Sequence, residues 1–166
     1  MRVHSTLIDK AAVAVVIQLG SKVIVNRVFE SAASTKTPKG SFGPEVSNVQ
    51  IDINQPMLEV PLEQLAYARS GDKGNNANVG VIARKPEYMP VLYQQLTAAA
   101  VAEFFGHVVE GEVTRFEVPG FDAFNFFMTE ALGGGGTASL RVDSQGKAFG
   151  QMLLSKVIQV PKGLLD

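Results

Sequence analysis

The chain reads as an α+β protein: a mainly antiparallel sheet with helices on one face, preceded by an N-terminal β-hairpin extension. Three observations point there. Short β-branched runs alternate with polar residues, as at Val49, Ile51 and Ile53 and again from Glu112 to Val118. Among these runs, Met89, Leu92, Tyr93 and Leu96 recur at helical spacing. Glycine and proline mark off the segments, so each run is short enough for a strand or a small helix.

Taken in order, Ala11 to Leu19 and Lys22 to Phe29 are two strands of a hairpin whose turn begins at Gly20. Ala11 to Leu19 is too short to span a bilayer, and a buried strand suits it better than a signal peptide. Glu30 to Ser47 is a long connector rich in Ser, Thr, Lys, Pro and Gly, and Asn48 to Ile53 is a strand. Pro56 and Pro61 bracket a short extended passage. The chain divides near here, into an extension over 1–60 and a domain over 61–166.

Leu62 to Arg69 and Val79 to Arg84 read as strands. Pro86 and Pro90 suit the start of a helix. Thr97 caps a second helix, Ala98 to Phe105, which Gly106 ends. Glu112 to Val118 is a strand stopped at Pro119-Gly120. Asp122 caps a further helix carrying Phe124, Phe127, Met128, Ala131 and Leu132, with a strand through Phe124, Phe126 and Met128 as the alternative. Ala138 to Val142 is a strand, Ser144 to Gly146 a turn, Lys147 to Lys156 a short helix, and Val157 to Val160 a last strand. The nearest familiar layout is the ferredoxin-like split arrangement.

At 166 residues, 46% of them hydrophobic, the chain holds enough apolar material for a core. A formal net charge of −1 gives no bulk electrostatic case for nucleic acid or an anionic membrane. With no cysteine there is no disulfide, thiol nucleophile or thiolate metal site, which suits a cytoplasmic setting. No metal and no cofactor is expected. His4 and His107 stand in unrelated contexts, and Ser70 and Ser139 lack a nucleophile-elbow pattern.

Two glycine-containing segments carry the chemistry. Ser70 to Asn78 is too long and too polar to read as a minimal hairpin turn. Gly71 and Gly74 permit converging backbone N–H groups, and Arg69 and Lys73 add charge, which suits an anion. The competing reading is a loop whose Asn and Asp side chains serve its own backbone. It lacks the ending of a phosphate-binding Walker loop and the carboxylate spacing of an EF-hand. Gly133 to Gly136, followed by Thr137 and Arg141, holds more glycines than a helix end needs, so either the backbone approaches something closely or the connection is loose. If the two segments meet, Arg69, Lys73 and Arg141 surround one pocket. Asp143 reads as the first residue of a turn rather than a partner for Asp72. The phenylalanines at 104, 105, 121, 124, 126 and 127 read as core, with an acyl-chain pocket as the alternative.

The strings Ala68 to Gly74, Ala77 to Arg84, Asn125-Phe126, Leu132 to Gly135, Ser139 to Arg141 and Gly146-Lys147 resemble the C-terminal domain of the AtuA-like proteins, named for acyclic terpene utilisation. The resemblance covers roughly Pro61 to Pro161; residues 1–60 find no counterpart in it. It implies a link to the bacterial breakdown of acyclic terpenes and branched acyl-CoA compounds. Longer members join this module to a larger N-terminal domain.

The leading expectation is a module that binds an anionic small molecule such as an acyl-CoA, working with a larger AtuA-like partner chain and forming a homo-oligomer. Arg69, Ser70, Lys73, Asn75 and Asn78 from the first segment, and Gly134, Gly135, Thr137 and Arg141 from the second, are the ligand-binding candidates. The rivals are a structural assembly module with no ligand and a thioester hydratase or isomerase in which Asp72 is the acid or base.

Overall fold

The computed structural model describes residues 8–9, 12–13, 15–26, 55–118, 120–136 and 138–165. The chain forms two compact units, Met1–Gly40 and Ser41–Asp166. In the first, strands β1 (Val15–Leu19) and β2 (Lys22–Asn26) form an antiparallel hairpin. Leu19 faces Lys22 across a two-residue turn, and Gly20 at φ +60° supplies the left-handed first position that a type II′ turn requires. The expected connector at Glu30 to Ser47 and the strand at Asn48 to Ile53 lie outside the described residues.

The second unit is an α+β sandwich. Strands β4 (Ala66–Lys73), β5 (Asn76–Ala83), β6 (Val113–Glu117) and β7 (Ala123–Met128) form an antiparallel sheet in the order β4-β5-β7-β6. Helices α1 (Met89–Gln95), α2 (Ala98–Phe105) and α3 (Phe149–Leu154) supply the rest of the core. A separate two-stranded sheet pairs β3 (Met57–Pro61) with β8 (Val157–Pro161). Thus β3, which the sequence division placed in the extension, pairs with the last strand of the domain.

β5 and β6 run in the same direction with β7 between them and α1 and α2 on the connection, which is a split βαβ unit. α3 follows β7 and packs on β4, although β4 comes first in the chain and reaches β5 through a hairpin. The layout is therefore ferredoxin-like with the last strand moved to the front.

Directly paired residues of an antiparallel sheet share a face. Ala77, Val79 and Val81 stand opposite Met128, Phe126 and Phe124, and all six are at most 1% exposed. They pack with Leu92, Leu96, Val101, Phe105 and Leu153 from the helices, and Phe105 stacks on Phe149 at 5.1 Å. Arg115 of β6 lies over the rings of Tyr93 and Phe124 and donates to the carbonyls of Tyr93 and Leu96, tying β6 to the end of α1. Thr97 caps α2 as expected, its Oγ1 accepting from Ala100 N at 3.1 Å.

Four expectations are corrected. Leu62 to Gln64 is a 3-10 turn and β4 starts at Ala66; a turn buries both Leu62 and Leu65, which strand alternation would split between two faces. Ser70 to Asn78 is not a long loop, because β4 and β5 continue through it to a two-residue turn at Gly74-Asn75. Residues 123–128 form strand β7, not a helix, because Phe124, Phe126 and Met128 are buried alternately between two flanking strands. Ala138 to Val142 is irregular: Leu140 and Val142 are fully exposed, and among the described residues no strand pairs with them.

Candidate functional site

β4 is an edge strand of the four-stranded sheet, and α3 lies against it. The approach is close. A Cβ on Gly150 would sit 3.3 Å from the backbone of Arg69, so a small residue is needed there. Ser70 makes the join: its Oγ accepts from Gly150 N at 2.9 Å and donates to Lys147 O at 3.1 Å. Asp143 caps the start of this segment, accepting from Lys147 N and Ala148 N at 2.8 Å each. These bonds hold Lys147 beside β4.

At this edge a cleft of about 410 Å³ is lined by Arg69, Lys73, Lys147 and Asp72, with Ser70 and Asn78. Gly71 and Gly80 also line it and bring no side chain, so a ligand there meets backbone. Lys147 Nζ reaches Asp72 Oδ1 at 3.1 Å. That hydrogen bond, helped by Asp72's own backbone N–H and by the charges of Lys147 and Lys73, lowers the Asp72 carboxyl below its ordinary value. A carboxylate held ionised in this way is a weak general base near neutral pH. Lys73 Nζ donates to Asn78 Oδ1 at 3.1 Å and to Asp72 O at 2.9 Å. Asn78 Nδ2 in turn donates to Asn125 Oδ1 at 2.9 Å. Arg69 is exposed and has no hydrogen-bond or ion-pair partner among the described residues.

The two glycine segments do meet, and they meet as a clasp. Asn75 O accepts from Ala131 N and Leu132 N, and Asn75 Oδ1 accepts from Gly134 N at 2.6 Å. Gly135, at φ +66°, lies so close to the other turn that a Cβ would fall 2.0 Å from Gly74 O. Gly133 to Gly136 all have positive φ, a conformation that favours glycine at every step. The Arg141 guanidinium donates to Val108 O at 2.7 Å, to Ala131 O and to Glu110 Oε1 at 3.0 Å.

The structure therefore gathers Arg69, Ser70, Asp72, Lys73 and Asn78 at one cleft and places Asn75, Gly134, Gly135 and Arg141 in the clasp outside it. Thr137 lies outside the described residues. Lys147 was not among the sequence candidates. It stands 75 positions from Asp72, and its one local signal was the Gly146-Lys147 pair, where Gly146 at φ +59° turns the chain into α3. Among the described residues no three His, Cys, Asp or Glu side chains converge as a metal site would require. No described helix is long and apolar enough to cross a membrane.

A family model described as the AtuA ferredoxin-like domain matches residues 60–159. Neither the curated proteins nor the solved structures gave a match.

Proposed function

The chain belongs to the AtuA ferredoxin-like domain family, and from that premise we propose that its second unit binds an anionic metabolite in the cleft at β4. The setting is the cytoplasmic breakdown of acyclic terpenes and branched acyl-CoA compounds, with a larger AtuA-like chain as working partner. One observation carries the reading. Arg69 offers an exposed guanidinium with no partner among the described residues, above a glycine floor and beside Lys73 and Lys147. A guanidinium in this position grips a carboxylate or phosphate through two parallel hydrogen bonds. The site is suited to binding rather than proton transfer, because its one carboxylate is ionised and paired.

A ligand that binds only the folded chain raises its melting temperature by an amount set by concentration over Kd. Free CoA, acyl-CoA esters and simple carboxylates are expected to shift wild type, and Arg69→Ala is expected to lose the shift. Equal shifts in both proteins would remove the cleft from the reading.

A second reading rests on the first unit. Val16, Ile17, Leu19, Val23 and Ile24 of the hairpin are 46–75% exposed, and two strands alone are marginal in water. This supports a homo-oligomer in which the hairpin is an assembly element. Light scattering on the full chain and on a chain starting at residue 55 tests it; monomers in both cases would end it.

A further inference from the structure

The helices cover one face of the four-stranded sheet, and among the described residues of the second unit no element packs on the other. That open face can be read from the register. Tyr67 stands opposite Ile82, Arg69 opposite Gly80, and Gly71 opposite Asn78. Across the next strand Gly80 meets Asn125 and Asn78 meets Phe127, and Asn125 then meets Phe116. Arg69 is thus flanked on its own strand by Tyr67, and Gly80 beside it is followed on β5 by Ile82.

Tyr67, Ile82 and Phe116 are 55%, 49% and 52% exposed; the first two form the next pair along from Arg69 and Gly80, and Phe116 lies on the same face beyond Asn125. Clustered exposure of this kind marks a binding surface more often than scattered single residues do. Its cations are mostly committed. Arg84 lies 3.8 Å over the Tyr67 ring and donates to Glu63 O, and Lys73 is held by Asn78. Arg69 alone of these is left for a ligand. The Asp72 carboxylate on the cleft wall offsets one of the three cationic charges there.

We propose that the open sheet face takes the apolar chain of a monocarboxylate whose head group is held by Arg69, with the chain running over Gly80 towards Ile82 and Phe116. This rests on the anion-binding reading above and narrows it to anions that carry an apolar chain. The charge complement at Arg69 and the apolar rim joined to it specify both ends of the occupant. Gly80 keeps the path open: a Cβ there would meet only Arg69 O, at 3.8 Å.

The test is calorimetric titration of the full chain with acetate, butyrate, hexanoate and octanoate, and with inorganic phosphate as a compact anion. Affinity is expected to rise about two- to fourfold per added methylene, as partial to full burial of each CH₂ implies. In Ile82→Ser/Phe116→Ser, two positions outside the cleft lining, the rise should flatten while acetate binding stays as in wild type. Both substitutions alter exposed positions, and an unchanged melting temperature shows that the variant has folded. Equal affinity for acetate and octanoate in wild type overturns the proposal and leaves the anion site standing. Failure of every carboxylate and of phosphate to bind overturns the anion site, and this proposal with it.

Discussion

Asp72 and Lys147 show how one contact sets the chemistry of the cleft. The folded carboxyl titrates below its ordinary value of 3.8, so the pair's contribution to stability is present above that pH and is lost as pH falls through the folded value. Lys147→Met is expected to raise the Asp72 titration towards 3.8, read by carboxyl-carbon NMR; the same midpoint in both proteins would show that the pair does not form in solution. Two arginines make a sharper contrast. The Arg69 side chain has no partner among the described residues, so Arg69→Ala is expected to change stability by less than about 0.5 kcal/mol while weakening anion binding. Arg141 satisfies two carbonyls, so Arg141→Leu should cost about 2 kcal/mol in urea denaturation and leave anion binding intact. The reverse pattern would exchange their roles. The sequence carries no sign of this difference, because each arginine follows an apolar residue, Ala68 or Leu140, and only the approach of the Val108 and Ala131 carbonyls commits one of them.

Between elements, the clasp of the β4–β5 turn on residues 131–135 is the feature that depends most on backbone geometry. Gly135→Ala meets Gly74 O and takes a left-handed φ as well, so a loss of about 3 kcal/mol is expected. Gly136→Ala has open space and carries only the conformational cost, about 1 kcal/mol. Equal melting temperatures for the two variants would mean that the turns do not touch. The glycine run was visible as an excess over what a helix end needs, but its partner was not. β7 fails to read as a strand for a related reason. Phe124, Phe127, Met128, Ala131 and Leu132 satisfy a helical period, and Phe124, Phe126 and Met128 satisfy a strand period. The choice falls to β5 and β6, which supply backbone partners on both sides.

Over the whole second unit, β3 and β8 join the two ends of the domain into a sheet of their own. The outer edge of β8 is closed by a side chain. Gln95 Nε2 donates to Gln159 O at 2.6 Å and Gln95 Oε1 accepts from Gln159 N at 2.8 Å, as a neighbouring strand would. A chain starting at residue 62 lacks β3 and is expected to melt well below one starting at residue 55, by thermal unfolding followed in circular dichroism. Equal melting temperatures would show that the β3–β8 pair contributes nothing. Legible from the residues alone were the α+β class, the Gly20 turn, the Thr97 cap, the extended passage bracketed by Pro56 and Pro61 and the segment that holds Arg69, Asp72 and Lys73. Each of these depends on residues a few positions apart, whose sterics and hydrogen bonds act locally. It took long-range packing to run β4 and β5 on to a two-residue turn, to bring Lys147 to the cleft, and to commit Asn75 and Arg141 to the clasp. Those outcomes depend on which backbone groups and charges come together from distant parts of the chain, and local preference carries no record of that.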